Sequence, residues 1–128
     1  MKNSVVIGAY SMALAVLFGA FGAHGLKTMV SEYSVDIYNK GVHYQVIHSL
    51  GIMLSAVLLK SEKSLKTLRI LFIAGIVGFS GSLYLLTFAD SLPGILKQIV
   101  GPITPVGGVF FVLSWIYLAR AFQKEMNN

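Results

Sequence analysis

The chain contains no cysteine, which excludes a disulfide framework, a thiol nucleophile and a thiolate metal site. Charge is nearly as scarce. Of 128 residues, 12% are charged and 55% are hydrophobic, where soluble proteins average about 25% charged. A soluble domain this small could not cover so much apolar surface with so few charges, so the sequence demands lipid as its solvent. Four stretches, residues 5–23, 42–59, 70–89 and 103–119, hold no Asp, Glu, Lys or Arg. Pumps and coupled carriers place such groups near the bilayer midplane, so their absence argues against a coupled carrier. The nucleophile elbow Gly-x-Ser-x-Gly is also missing: Gly78-Phe-Ser-Gly-Ser82 only echoes it and reads as packing. With no nucleophile–base pair legible, the expectation is a protein that is not an enzyme.

What the chain does have is apolar runs punctuated by charge. Residues 5–23 form an uncharged run of nineteen, roughly 28 Å as a helix and close to the ~30 Å hydrocarbon thickness. A secretory signal would be shorter and would end in a cleavage motif. Small residues recur here at Ser11, Ala15, Gly19 and Ala23, a ridge that lets another helix approach closely. The run closes on Phe18-Gly-Ala-Phe-Gly-Ala-His-Gly-Leu26, with Gly25 suited to a left-handed helix stop. Residues 26–40 are more polar, with apolar positions at spacings of three and four. They read as a short amphipathic helix lying on the membrane surface or capping the bundle, with a loose loop as the alternative.

The second run, 42–59, opens with His43, Tyr44, Gln45 and His48. Tyr44, His48, Gly51 and Ser55 share one small, polar helical face, which should point into a bundle. Residues 60–69 make a basic connector. The third run, 70–89, carries a second small ridge at Ala74, Gly78 and Ser82. Residues 90–101 read as a turn region, after which Thr104 suits an N-cap and Pro105 the first turn of a fourth helix. Trp115 and Tyr117 near the end of that helix fit an interfacial belt.

The net charge of +5 does not point to nucleic acid, because the positive residues sit at run ends and form no single patch. Lys2, Lys60, Lys63, Lys66, Arg69, Arg120 and Lys124 fall on one side of a four-span chain. Lys27, Lys40 and Lys97 fall on the other. The positive-inside rule then places both termini in the cytoplasm.

The strongest chemical candidate is His24 with His48, because residues 25–41 must loop back on one side and bring the two helix ends together. A buried ionisable side chain in a membrane is a functional hypothesis by default. The alternative is a neutral imidazole bonded to Tyr44, Gln45, a serine or a carbonyl freed near the glycine turn. His43 and His48 lie about 140° apart on a helix and cannot both face one metal without distortion. A zinc site would have to recruit Asp36 or Asp90 to His24 and His48, and nothing else supports a haem cleft. No cofactor is therefore expected.

Four segments together carry a resemblance: Gly19-Ala-Phe-Gly-Ala-His-Gly-Leu26, Tyr44-x-x-x-His48-Ser-Leu, Phe79-Ser-Gly-Ser-Leu-Tyr84 and Gly101-Pro-Ile-Thr-Pro-Val-Gly-Gly108. In this order they resemble a family of small bacterial membrane proteins, domain of unknown function 423, also uncharacterised protein family 0382. The resemblance covers nearly the whole chain. It implies a four-helix integral protein of the bacterial inner membrane and supplies no catalytic roles.

The expected architecture is thus all-α: a single domain of four transmembrane helices with a surface helix between the first two. The expected role is to bind lipid or a small amphiphile, or to scaffold a partner, at the outward-facing end. His24, His48, Tyr44, Gln45 and Thr104 are its candidate polar cluster. The alternative is a metal- or haem-binding component using His24 and His48. The expected partners are membrane lipids, a second copy or another membrane protein, and no nucleic acid.

Overall fold

A computed structural model of the chain describes residues 1–91 and 93–127. The fold is all-α, with no strand among the described residues. Helix α1 spans Lys2–Ala23 and α2 spans Glu32–Leu58. The third rod is α3, Glu62–Gly75, a wider π turn over Ile76–Ser80, and α4, Gly81–Thr87. Helix α5 spans Gly94–Met126. Short 3₁₀ turns occupy Leu26–Thr28 and Ala89–Ser91. All four rods are long and apolar enough to cross a membrane.

Two serines start helices. The side chains of Ser31 and Ser61 accept the backbone N–H three residues on, at 3.2 and 3.3 Å. Each is followed by a glutamate, Glu32 or Glu62, in the first turn, where the helix dipole favours a negative charge. The Ser31 cap revises the expected surface helix. Residues 32–40 are the opening turns of α2, continuous with the apolar run, and only the 3₁₀ turn separates them from α1. Gly25 is not a left-handed stop: it is right-handed helical, φ −72° and ψ −41°. The chain tightens there into the 3₁₀ turn, and the Thr28 hydroxyl donates to the Gly25 carbonyl at 3.0 Å.

The fourth helix also starts earlier than expected. Pro102 and Pro105 lie inside α5, and Thr104 is an interior residue and not an N-cap. Each proline forfeits the bond its missing N–H would give to the carbonyl four residues back. Membrane helices tolerate this where neighbouring groups satisfy the freed backbone.

The rods run antiparallel to their neighbours. α1 packs on α2, α2 on the third rod, and the third rod on α5, so α1 and α5 form the flanks. Ser11 meets Ser49 across α1 and α2, and Ser82 meets Thr104 across α4 and α5, both at 2.7 Å. α1 buries its small residues Ser4, Gly8, Ala15 and Gly22, a set that only partly overlaps the anticipated ridge, since Ala23 is exposed. Its large residues Val5, Val6, Leu14 and Leu17 point outward. Small-in and large-out is the packing of a helix solvated by lipid.

Where the third rod crosses α5 the backbones touch. A Cβ added to Gly78 would lie 3.0 Å from the Gly107 Cα, a tight approach, and one added to Gly107 would lie 2.5 Å from the Gly78 carbonyl carbon, so glycine is required on the α5 side of this crossing. Below it, Ile52, Leu65, Leu68, Phe72, Phe111 and Leu118 build the main core. The connector end is held by polar ties. The N-terminal ammonium meets Glu62 at 2.6 Å, and Arg69 joins Glu62 at 3.2 Å and Ser4 at 3.0 Å. Glu125, near the end of α5, accepts the backbone N–H groups of Lys60 and Ser61 at 2.8 and 3.0 Å.

Candidate functional site

α2 and α5 touch little along their length, and a slot opens between them. It has a volume of about 710 Å³ and an almost wholly apolar lining, within the range of pockets that hold small molecules, about 300–1,000 Å³. From α2 come His43, Tyr44, Ile47 and His48. From α5 come Phe111 and Trp115, among others, and Phe79 of the π turn completes the aromatic wall. The π turn matters locally: Gly78 takes the crossing with α5 while the next residue, Phe79, borders the slot.

His48 is the buried polar residue of the slot, only 4% exposed. Its ring stacks on Phe111, with centroids 3.4 Å apart and planes 9° apart. Tyr44 stacks above it at 5.8 Å and meets Phe79 at 4.5 Å. The His48 Nδ1 lies 2.6 Å from the Tyr44 carbonyl oxygen. A carbonyl can only accept, so Nδ1 carries the hydrogen and donates. In the neutral ring Nε2 is then an acceptor, and it has no partner among the described residues. His43 is exposed and edge-on to Tyr44.

Gln45, next to Tyr44 in sequence, turns the other way. It donates from Nε2 to the Ser11 carbonyl at 3.0 Å and accepts from the Tyr84 hydroxyl at 2.7 Å. The Ser49 hydroxyl adds contacts to Ser11 Oγ at 2.7 Å and to the Gln45 carbonyl at 2.6 Å. This chain of bonds ties α1, α2 and α4 through the bundle and satisfies its polar members internally, as a membrane interior requires.

The anticipated residues therefore separate. Tyr44 and His48 share the slot, with Tyr44 39% exposed and not buried with the rest of its face. Gln45 belongs to the α1–α2–α4 network. Thr104 pairs with Ser82 at the α4–α5 contact. His24 is exposed at the end of α1. The Ser11–Ser49 pair sets His48 level with the middle of α1, and His24 lies thirteen residues further along, roughly 20 Å at 1.5 Å per residue. The two histidines cannot ligate one metal or one haem iron. Asp36 is engaged with Lys40 at 3.9 Å at the start of α2, and the side chain of Asp90 lies outside the description. Among the described residues no three His, Cys, Asp or Glu stand close enough to hold a metal ion.

Sequence reasoning missed Phe79 and Phe111, which carry no local signal of a shared site, and read Trp115 as an interfacial anchor only. It also missed the Ser11–Gln45–Tyr84 network, although a glutamine in an uncharged span was a visible sign that partners must exist.

Comparison with known proteins places the chain among membrane proteins without an assigned activity. The family described as "Protein of unknown function (DUF423)" matches residues 18–108. The chain is similar to the UPF0382 membrane protein YwdK of Bacillus subtilis, 41% identical over 98% of this chain and 100% of the relative. It is 36% identical to a UPF0382 membrane protein of Staphylococcus aureus and 37% identical to one of Staphylococcus epidermidis. Each of these alignments covers 97% of this chain and 98% of the relative. No solved structure matches it.

Proposed function

We propose that this chain, which belongs to the DUF423 family of membrane proteins, binds one lipid or small uncharged amphiphile in the slot between α2 and α5. The observation that carries the reading is the buried His48 in an otherwise aromatic and aliphatic slot. Its Nδ1 is committed to the Tyr44 carbonyl, and Nε2 remains to accept one hydrogen bond. An apolar tail would fill the aromatic wall, and a hydroxyl or amide N–H on the same molecule would donate to His48. Nothing in the slot supplies a nucleophile with a base, so the role is binding and not turnover.

The proposed setting is a bacterial cell membrane with both termini cytoplasmic. The uneven distribution of cations supports it: seven on the terminal side against three on the other. His43 then lies near the outer surface and His48 deeper. Topology-reporter fusions at Ser61 and at the C-terminus test this setting, and an external signal at either overturns it.

The binding reading is tested by extracting protein purified gently from its own membrane and identifying bound organic molecules by mass spectrometry. Wild type should yield a near-stoichiometric amphiphile. Gly108→Leu, which pushes a side chain into the slot, should yield none while keeping its helical content. Recovery of the same molecule from both, or of none from wild type, overturns the reading.

A further inference from the structure

A second cavity, of about 500 Å³, lies at the opposite end of the bundle, between the start of α3 and the last turns of α5. Lys63, Arg120 and Lys124 line it together with Ser64, Tyr117 and Glu125. None of the three cations has an ion-pair partner among the described residues. The one carboxylate, Glu125, has both oxygens turned onto the Lys60 and Ser61 backbone N–H groups. The cavity therefore offers three unspent positive charges around a space large enough for a phosphate-bearing headgroup.

Its depth is fixed by the sequence. Arg120 directly follows the uncharged run of α5 and Lys60 directly follows that of α2, while Tyr117 sits one turn inside. Charges at the edge of two apolar spans, with a tyrosine beneath them, stand at the level of lipid headgroups. Exposed Ile116, which borders neither cavity, continues from Arg120 one turn further along α5 into the apolar zone, where acyl chains would lie. A soluble anion would find the charges but could not use that apolar continuation.

We infer that this cavity is a binding site for the headgroup of an anionic phospholipid, the phosphate held by Lys63, Arg120 and Lys124 and the chains lying along α5. Basic pockets between spans at a membrane surface attract such headgroups electrostatically. The site is separate from the aromatic slot, and either can fail without the other.

The test is native mass spectrometry of the full chain in detergent, offered equal amounts of phosphatidylglycerol and phosphatidylcholine. Wild type should retain the anionic lipid in preference by about tenfold or more. The triple variant Lys63→Gln, Arg120→Gln, Lys124→Gln should lose the preference. The control variant Lys2→Gln with Lys27→Gln should keep it. Excess inorganic phosphate should not displace the lipid. Equal retention of both lipids by wild type overturns the site even if the triple variant does not fold. Preference surviving in a folded triple variant, or displacement by phosphate alone, overturns it as well.

Discussion

The His48 imidazole and the Phe111 ring lie almost parallel, 9° between planes and 3.4 Å between centroids. This stack is the main joint between α2 and α5, two helices that otherwise touch little. Phe111 also covers Gly75 of α3, so one ring braces three helices and the inner wall of the slot. Phe111→Ala should cost about 3 kcal/mol through the cavity it leaves, read as a lowered midpoint of thermal unfolding in detergent. His48→Phe should keep most of the stability, since a ring of similar size can still stack, but should abolish amphiphile retention with the loss of Nε2. Equal retention in wild type and His48→Phe would show that the imidazole is only structural.

Neighbouring glycines in α5 should behave oppositely. A Cβ on Gly107 would fall on the backbone of the third rod, with the Phe79 Cα 2.8 Å away, and backbone cannot swing aside. Gly107→Ala should push the two rods apart and cost roughly 1–3 kcal/mol. A Cβ on Gly108 would meet only the Phe79 ring, at 3.6 and 3.8 Å, an ordinary contact. Gly108→Ala should be neutral or stabilising by about 0.5 kcal/mol. Paired thermal melts decide this, and equal effects would contradict the close crossing at Gly78.

The helices were legible because charge marks their ends. The uncharged run 5–23 lies within α1, and the run 70–89 passes the end of the third rod at Thr87 by two residues. The errors sit where a membrane helix runs on past its apolar zone. α2 begins at its Ser31 cap, deep in a segment whose charges suggested a separate element, and α5 absorbs two prolines that elsewhere would mark a boundary. The site was only half legible. Tyr44 and His48 are one helical turn apart, so periodicity placed them together. Phe111 is far away in sequence and nothing local announces the stack. His24 looked buried because of its glycine-rich setting, yet a histidine at a helix end simply meets solvent.

The buried polar bridge makes a prediction of its own. Gln45→Leu strands the Tyr84 hydroxyl in a low-dielectric interior, while the Ser11 carbonyl keeps its bond within α1, and should cost about 1 kcal/mol. Tyr84→Phe in the same background should cost less than it does alone, because the hydroxyl it removes is already unpartnered. A double-mutant cycle of unfolding midpoints measures the difference, and strictly additive effects would contradict the bond at 2.7 Å.

Acid should loosen the connector end. The Lys60 and Ser61 N–H donors hold the Glu125 carboxyl below its ordinary value of 4.5. A lowered native pKa gives stability that is complete above the unfolded value and is lost as pH falls through the native one. Glu62, lowered by its bonds to the N-terminal ammonium and Arg69, titrates in the same range, so wild type should lose stability below about pH 4.5 more steeply than Glu125→Gln does. Melting curves across the acid range check this, and identical acid profiles would contradict the cap.

The most direct test of the slot uses its own reporter, because Trp115 is the only tryptophan in the chain and lines the cavity. A brominated long-chain alcohol titrated into the detergent-solubilised protein should quench Trp115 fluorescence saturably. The unbrominated alcohol should reverse the quenching by competition, and Gly108→Leu should leave only a linear, non-saturable component. Linear quenching in wild type, unaffected by competitor, would mean that Trp115 meets bulk amphiphile alone and that the slot holds no ligand.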